Sequence, residues 1–269
     1  MTTIDVDALS ALLRTAEEAR APVDKLTDAH PALTVEDAYR IQGATLARRR
    51  ERGLHGRPAR LVGRKVGITS RAVQEWLKVD EPDFGFLLDD MEVKDGGACV
   101  RKELVQPRIE GEIAFVLRRE LPGCFQVGGV TNTDVVAATD FVLPALEIID
   151  SRIKDWQLTY RDTVADNASS ARYVVGTQRT PLDGVDLVLA GMSLKKNGRV
   201  ASTGAGAACL GNPVSAVAWL ANTLSRLGTP LRPGEIVLSG ALGPVVPVDA
   251  GDFFELEVAH VGRCTVRFT

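Results

Sequence analysis

The chain has 269 residues, enough for one large or two modest domains with a real core. Its composition, 45% hydrophobic and 25% charged, is ordinary for a globular protein, and a formal net charge of -3 leaves no basic footprint for nucleic acid or an anionic membrane. No apolar run approaches the roughly 20 residues of a membrane-spanning helix, the first residues carry no signal-like core, and Cys99, Cys124, Cys209 and Cys264 lie too far apart for a zinc knuckle or a disulfide framework, a pattern that fits a reducing cytoplasm.

Val6 to Arg20 predicts an amphipathic helix with Leu9, Leu12, Leu13 and Ala16 on one stripe. A second helix opens at Thr34-Val-Glu-Asp37, a capping-box pattern, and runs through Ala38, Ile41, Thr45 and Leu46 to Arg48-Arg-Arg50. That basic end suits the negative end of the helix dipole better than it suits an anion site. His30, between the two helices, reads as a loop residue. Leu61 to Ile68 reads as a strand on which Lys65 shares its face with Gly63 and Gly67. Glycine inside a strand marks close approach of a ligand or another backbone; a surface lysine on a twisted edge strand is the alternative. Ser70 caps a short helix over Arg71 to Leu77, and Pro82-Asp-Phe-Gly85 reads as a turn presenting Asp83. No glycine-rich phosphate loop or His-Arg-Asp loop accompanies that Asp-Phe-Gly triplet, so it is not a kinase signature.

Arg108 to Leu117 reads as a strand with two unlike faces. Glu110, Glu112, Ala114 and Val116 share one; Ile109, Gly111, Ile113, Phe115 and Leu117 share the other. Two acidic groups at the mouth of a half-buried strand can grip one cation, or they can be a solvated strand end. Pro122-Gly123 and Gly128-Gly129 mark turns, and a short helix around Thr133 to Ala138 leads into an apolar strand, Phe141 to Asp150. That strand carries Glu147, a costly charge unless it is paired, metal-bound or at an exposed end, and Pro144, which predicts an edge or a bulge. Asp162 to Ser170 and Thr203 to Ala208 have the composition of loops. Asn212-Pro213 starts a helix with Val214, Val217, Ala221 and Leu224 as its buried stripe and Gly228 at its end. Pro233-Gly234 turns into a strand over Glu235 to Leu238, and Asp252 to Phe268 reads as two strands joined around Gly262. Helices first, then many strands with few helices between them, predict a mixed α+β fold, with a helical N-terminal part over residues 1–60 and the catalytic part over 61–269.

Three carboxylates on two strands are oxygen donors that suit a hard cation such as Mg²⁺ or Mn²⁺. A 2-oxo acid could chelate the open positions, and a cation so held would polarise its keto group and stabilise an enolate. Lys65 would neutralise the substrate carboxylate or the enolate, and Asp83 would move a proton. His30, His55 and His260 sit in no nucleophile-like motif, so histidine-based catalysis is the weaker reading.

Gly63-Arg-Lys-Val-Gly-Ile-Thr-Ser70, Pro82-Asp-Phe-Gly85, Glu110-Gly-Glu112, Glu147 to Trp156 and Asp162 to Ser169 resemble the 2-hydroxypenta-2,4-dienoate (2-keto-4-pentenoate) hydratases of the fumarylacetoacetate hydrolase superfamily. The resemblance continues, in order, through Ser202 to Ala207, Val217 to Leu224 and Gly234 to Gly240, and so spans nearly the whole chain. It implies a mixed β-roll or barrel with shorter helices packed around it, a metal site at Glu110, Glu112 and Glu147, active-site roles for Lys65 and Asp83, and a pocket lined by Asn167 and Ser169. It also implies a homo-oligomer, a small 2-oxo or 2-hydroxydienoic acid as substrate, hydration to 4-hydroxy-2-oxopentanoate in meta-cleavage catabolism of aromatic compounds, and a complex with a decarboxylase or aldolase of the same route. The sister 4-oxalocrotonate decarboxylases are the nearest alternative reaction. A carbon–carbon hydrolase of acylpyruvates or fumarylacetoacetate and an inactive partner subunit are the others.

Overall fold

A computed structural model describes residues 4–53, 56–122 and 128–269. Gly123 of the expected Pro122-Gly123 turn, His55 and Cys124 lie outside the described residues. Capping side chains set the helix starts. Asp5 accepts from Ala8 N and opens α1 (Val6–Ala19); after the single turn α2 (Leu26–Ala29), Thr34 and Asp37 form the reciprocal capping box of α3 (Val35–Arg52). The buried stripe of α1 is Leu9, Ser10, Leu13 and Ala16, whereas Leu12 is 41% exposed. The stripe leans towards Ser10 because its hydroxyl hydrogen-bonds Thr45 on α3. The basic end of α3 is not only a dipole partner: Arg49 is buried, 2.9 Å from Asp90 and 3.6 Å from Glu17.

The chain continues through β1 (Leu61–Gly67), α4 (Arg71–Leu77), β2 (Asp83–Leu88), β3 (Ala98–Cys99), β4 (Arg108–Leu117), α5 (Asn132–Ala138), β5 (Thr139–Ile149) and α6 (Tyr160–Ala165). Then come β6 (Ser170–Val175), β7 (Gly191–Lys196), β8 (Arg199–Ala205), α7 (Pro213–Arg226), β9 (Ile236–Leu238), β10 (Val246–Pro247), β11 (Phe253–Val258) and β12 (Gly262–Phe268). Among the described residues the strands make two sheets. One is mixed and curled into a half-barrel, in the order β2-β1-β9-β4-β5-β6 with β10 added on β4; the other runs β3-β12-β11-β7-β8. The main core lies between the sheets and under α5 and α7, with Val214, Val217, Ala221 and Leu224 buried as expected. The N-terminal helices share a second core with Ile153, Tyr160, Val164 and Ala165 around α6. No helix of the described residues is long and apolar enough to cross a membrane.

Several segments differ from their sequence reading because their partners lie far away in the chain. Pro82-Asp-Phe-Gly85 is not a turn: Asp83 opens β2, antiparallel to β1 and opposite Gly67. β1 is therefore interior, and Lys65 is 2% exposed, which rules out a surface lysine. Pro144 sits in an interior strand rather than at an edge. It is tolerated because it stands where β6 has ended, its carbonyl accepting from Gly176 N just beyond that strand. The supposed loop from Asp162 is helix α6, opened by a Thr159/Asp162 capping box, followed by a tight turn at Asn167–Ser169. Thr203 to Ala205 finish β8 instead of looping. β7 alternates too weakly to be read from sequence and is held by its neighbours β8 and β11.

Asp162 ties the two halves together: its buried carboxylate accepts from the backbone and hydroxyl of both Thr159 and Thr27. Asp162→Ala leaves those donors unpaired, and the expected result is a loss of roughly 2–4 kcal/mol of stability, read as a lower urea midpoint.

Candidate metal and active site

Glu110 and Glu112 point to one side of β4, and the antiparallel register sets Glu147 of β5 directly opposite Glu110. That face continues through Ala114 and Val116 into an apolar cluster, while Ile109, Ile113, Phe115 and Leu117 pack into the main core behind it. One oxygen of each of the three glutamates lies within 4.8 Å of the others. This is no solvated strand end: Glu110 is 8% exposed and Glu112 and Glu147 are 0% exposed. Gly240 N donates to Glu112 Oε2 at 2.8 Å, yet Glu112 Oε1 and Glu147 Oε1 have no hydrogen-bond partner among the described residues. Burial, and then the charge of Glu147, push the Glu110 carboxyl up to about 8 and Glu112 well above the ordinary glutamate range. Three converging oxygen donors with open lone pairs fit a hard divalent cation, whose charge would offset both effects.

Lys65 faces this trio across the half-barrel. Its Nζ lies 3.2 Å from Glu147 Oε2 and donates to the Ala168 carbonyl at 3.0 Å. Burial alone would drive the ammonium towards neutrality, but Glu147, Asp83, Glu110 and Glu112 outweigh it and hold it charged. Asp83 sits beside Lys65 in room that only glycine leaves: a Cβ on Gly67 would lie 2.2 Å from Asp83 Oδ1 and 3.1 Å from Lys65 Nζ. Burial raises the Asp83 carboxyl to about 6 despite the opposing charge of Lys65. Thr163 Oγ1 reaches Asp83 Oδ2 at 3.4 Å, and Gln42 of α3 bridges the Phe84 and Val164 carbonyls, so the N-terminal helices fix the strand end that carries Asp83.

Asn167, Ala168 and Ser169 all adopt left-handed backbone angles, with φ of 57°, 50° and 56°, a strained arrangement costing about 1–3 kcal/mol per residue. Arg152 braces it, donating to the Asp166 carboxylate and carbonyl and to the Asp150 and Ser170 carbonyls. Asn167, expected to line the pocket, instead holds β2: its Oδ1 accepts from Phe86 N at 2.7 Å and its Nδ2 donates to Phe86 O at 3.1 Å. Ser169 does line the cavity, and its buried hydroxyl has no hydrogen-bond partner among the described residues. The cavity, about 200 Å³, opens over Lys65, Asp83 and Glu110, and its walls include Ile68, Val73, Trp76, Leu77, Arg108, Trp156 and Leu158. His30 and His260 are not among its lining residues. Arg108 had a sequence signal, since it continues the Glu112, Glu110 row by one more step of two; Thr163 and Gly240 fall within stretches that carry the resemblance, but nothing local signalled their contacts with Asp83 and Glu112, which only folding makes.

Residues 58–269 match the family described as Fumarylacetoacetate (FAA) hydrolase C-terminal. The chain belongs to the fumarylacetoacetate hydrolase family. Within it, the chain is 50% identical to the 2-hydroxyhexa-2,4-dienoate hydratase of Comamonas testosteroni, over 91% of this chain and 90% of that protein. It is equally identical, at 50%, to the 2-keto-4-pentenoate hydratase of Paraburkholderia xenovorans (strain LB400), over 92% of this chain and 88% of that one. The fold matches 4-oxalocrotonate decarboxylase from Pseudomonas putida G7, complexed with magnesium and adipate, with a TM-score of 0.93 and 37% identity over 100% of this chain and 99% of that one. The fold is thus of the family type: a curled mixed sheet with packed helices and a smaller helical N-terminal part.

Glu110 has a folded pKa above its ordinary value of 4.5, so between about 4.5 and about 8 the native state binds more protons than the unfolded chain. The slope of unfolding free energy with pH is then negative for this group. In chelator-treated protein, the Glu110 contribution should fall as pH rises through that window. Thermal melts of wild type against Glu110→Gln should show the variant gaining stability relative to wild type towards pH of about 8, and added Mg²⁺ should stabilise wild type alone at that end.

Proposed function

We propose that the protein is a divalent-metal-dependent hydro-lyase that adds water to 2-hydroxypenta-2,4-dienoate to give 4-hydroxy-2-oxopentanoate, a step in aromatic meta-cleavage catabolism. The observation that carries this reading is the buried carboxylate trio with Lys65 across it, in a chain 50% identical to two proteins named as hydratases. Glu110, Glu112 and Glu147 would hold the ion, and the relative solved with magnesium supports Mg²⁺, with Mn²⁺ as the other oxygen-seeking candidate. When bound, the cation polarises the 2-oxo oxygen and lowers the cost of negative charge there.

The chain's own groups do the rest. Lys65, held charged by its carboxylate neighbours, adds a second positive charge beside that oxygen. Asp83, raised close to neutrality, exchanges protons in both stages. In the first, the enol proton is lost and C5 gains one, converting the dienol to 2-oxopent-3-enoate. In the second, water oxygen bonds to C4, one water proton passes to Asp83, and C3 gains a proton. The Ser169 hydroxyl orients the water or the substrate from the cavity wall.

The decarboxylase reading is favoured by one observation, the TM-score of 0.93 to a protein of that name, whereas the higher identity to hydratases favours hydration. Magnesium-loaded protein should consume the dienoate with formation of 4-hydroxy-2-oxopentanoate; CO₂ release from 4-oxalocrotonate without hydration would reverse the choice. Asp83→Asn should lower kcat by roughly 10²- to 10⁴-fold with metal affinity retained in calorimetry. Glu147→Gln should instead lose the ion, and activity with it.

A further inference from the structure

We infer that Arg108 is the residue that receives the C1 carboxylate of the substrate and so fixes which way the acid lies in the cavity. This rests on the hydro-lyase reading for the identity of the substrate, but the contact itself is argued from the cavity. Arg108, Glu110 and Glu112 form one row on β4, paired with Ile149, Glu147 and Ala145 of β5. The row runs from depth to mouth, from fully buried Glu112 through Glu110 to half-buried Arg108. A guanidinium therefore stands one ladder step outside the carboxylate trio, on the same wall.

Two cations line the cavity among the described residues. Lys65 is already engaged by Glu147 and the Ala168 carbonyl. Arg108 is not: it makes no ion pair and donates no side-chain hydrogen bond among the described residues, and its contact is the face of Trp156, 4.5 Å from guanidinium carbon to ring centre. The ring is itself fixed, because Trp156 Nε1 donates to the Gln106 carbonyl at 3.1 Å. A planar cation stacked on an anchored ring keeps its N–H edges available in a set orientation, which suits two parallel hydrogen bonds to a carboxylate. Partial burial disfavours its charge, so an incoming anion supplies the missing partner.

The orientation follows. A 2-oxo acid that approaches the trio through its C1 and C2 oxygens has two remaining directions, one beyond C1 and one along C3 to C5. With C1 towards Arg108, C3 to C5 extend away from that guanidinium into the rest of the cavity, whose lining includes Lys65 and Asp83 as proton-bearing groups and Ile68, Val73 and Leu77 as apolar ones. Arg108 then reads the end common to all such acids, and the apolar wall reads the tail that differs between them.

The test uses Arg108→Met and Arg108→Lys in full-length, magnesium-loaded protein, with oxalate binding followed by calorimetry and turnover measured on pentadienoate and hexadienoate. Arg108→Met should weaken oxalate and raise KM by roughly 10- to 100-fold, equally for both chain lengths, with kcat within about threefold. Arg108→Lys, which keeps the charge and loses the fork, should fall between, and Mn²⁺ affinity should not weaken. Oxalate affinity within about twofold of wild type, or a KM penalty that depends on tail length, would overturn the assignment. Wild type that binds oxalate but does not hydrate either dienoate would sink the reaction instead, and the oxalate titration would still decide Arg108.

Discussion

Everything at the centre of this molecule follows from one buried rung of the half-barrel, where Glu110 and Glu147 face each other across β4 and β5. Two like charges at directly opposed positions repel, and here burial weakens the screening of that repulsion. With Glu112 one step deeper, the site concentrates negative charge that the apolar faces around it cannot relieve. Relief comes either from proton uptake, as the raised Glu110 and Glu112 carboxyls show, or from positive charge, of which the fold supplies one fixed source, the Lys65 ammonium. A divalent cation in the same place is the natural complement, since oxygen lone pairs otherwise stay unmatched in the interior.

The surrounding structure holds that rung and its counter-charge in register. Glycine at 67 lets Asp83 lie beside Lys65, and α3 and α6 grip the start of β2 through Gln42, Thr163 and the Tyr160 hydroxyl, which donates to the Pro82 carbonyl. The N-terminal helices thus act on the chemistry through β2, without lining the cavity themselves. Three consecutive left-handed residues aim the Ala168 carbonyl at Lys65 and the Ser169 hydroxyl into the cavity. The buried Arg152–Asp166 pair and the Asn167 amide brace that strained turn. Strain at a site persists only where its surroundings over-determine it, and this turn is held from three sides.

Charge at the site is graded rather than uniform. The deepest cation is engaged by Glu147 and the Ala168 carbonyl, burial raises the Asp83 carboxyl to about 6, and the outer cation, Arg108, rests on an aromatic face with no ion pair among the described residues. On the proposed function, such a gradient would draw a small acid inward and give its carbonyl end a different electrostatic environment from its carboxylate end.

By itself the sequence determined the local chemistry. Alternation along Arg108 to Leu117 placed Glu110 and Glu112 together and put the apolar face behind them; an apolar stripe marked α1, and capping residues marked the starts of α3, α4 and α7; and the motif series pointed to the family. These are short-range properties, set by residues a few positions apart. What only the tertiary structure decided was pairing across the chain. The register of β5 on β4 put Glu147 opposite Glu110, the burial of β1 between β2 and β9 turned Lys65 inward, and the same contacts made strands of Asp83 to Leu88 and Thr203 to Ala205 where composition read turns and loops. Asn167 likewise changed role, from expected pocket lining to a clamp on β2, because its amide meets a backbone 81 residues away. No periodicity encodes such a meeting; it exists only once loop closure has brought distant strands to a shared edge.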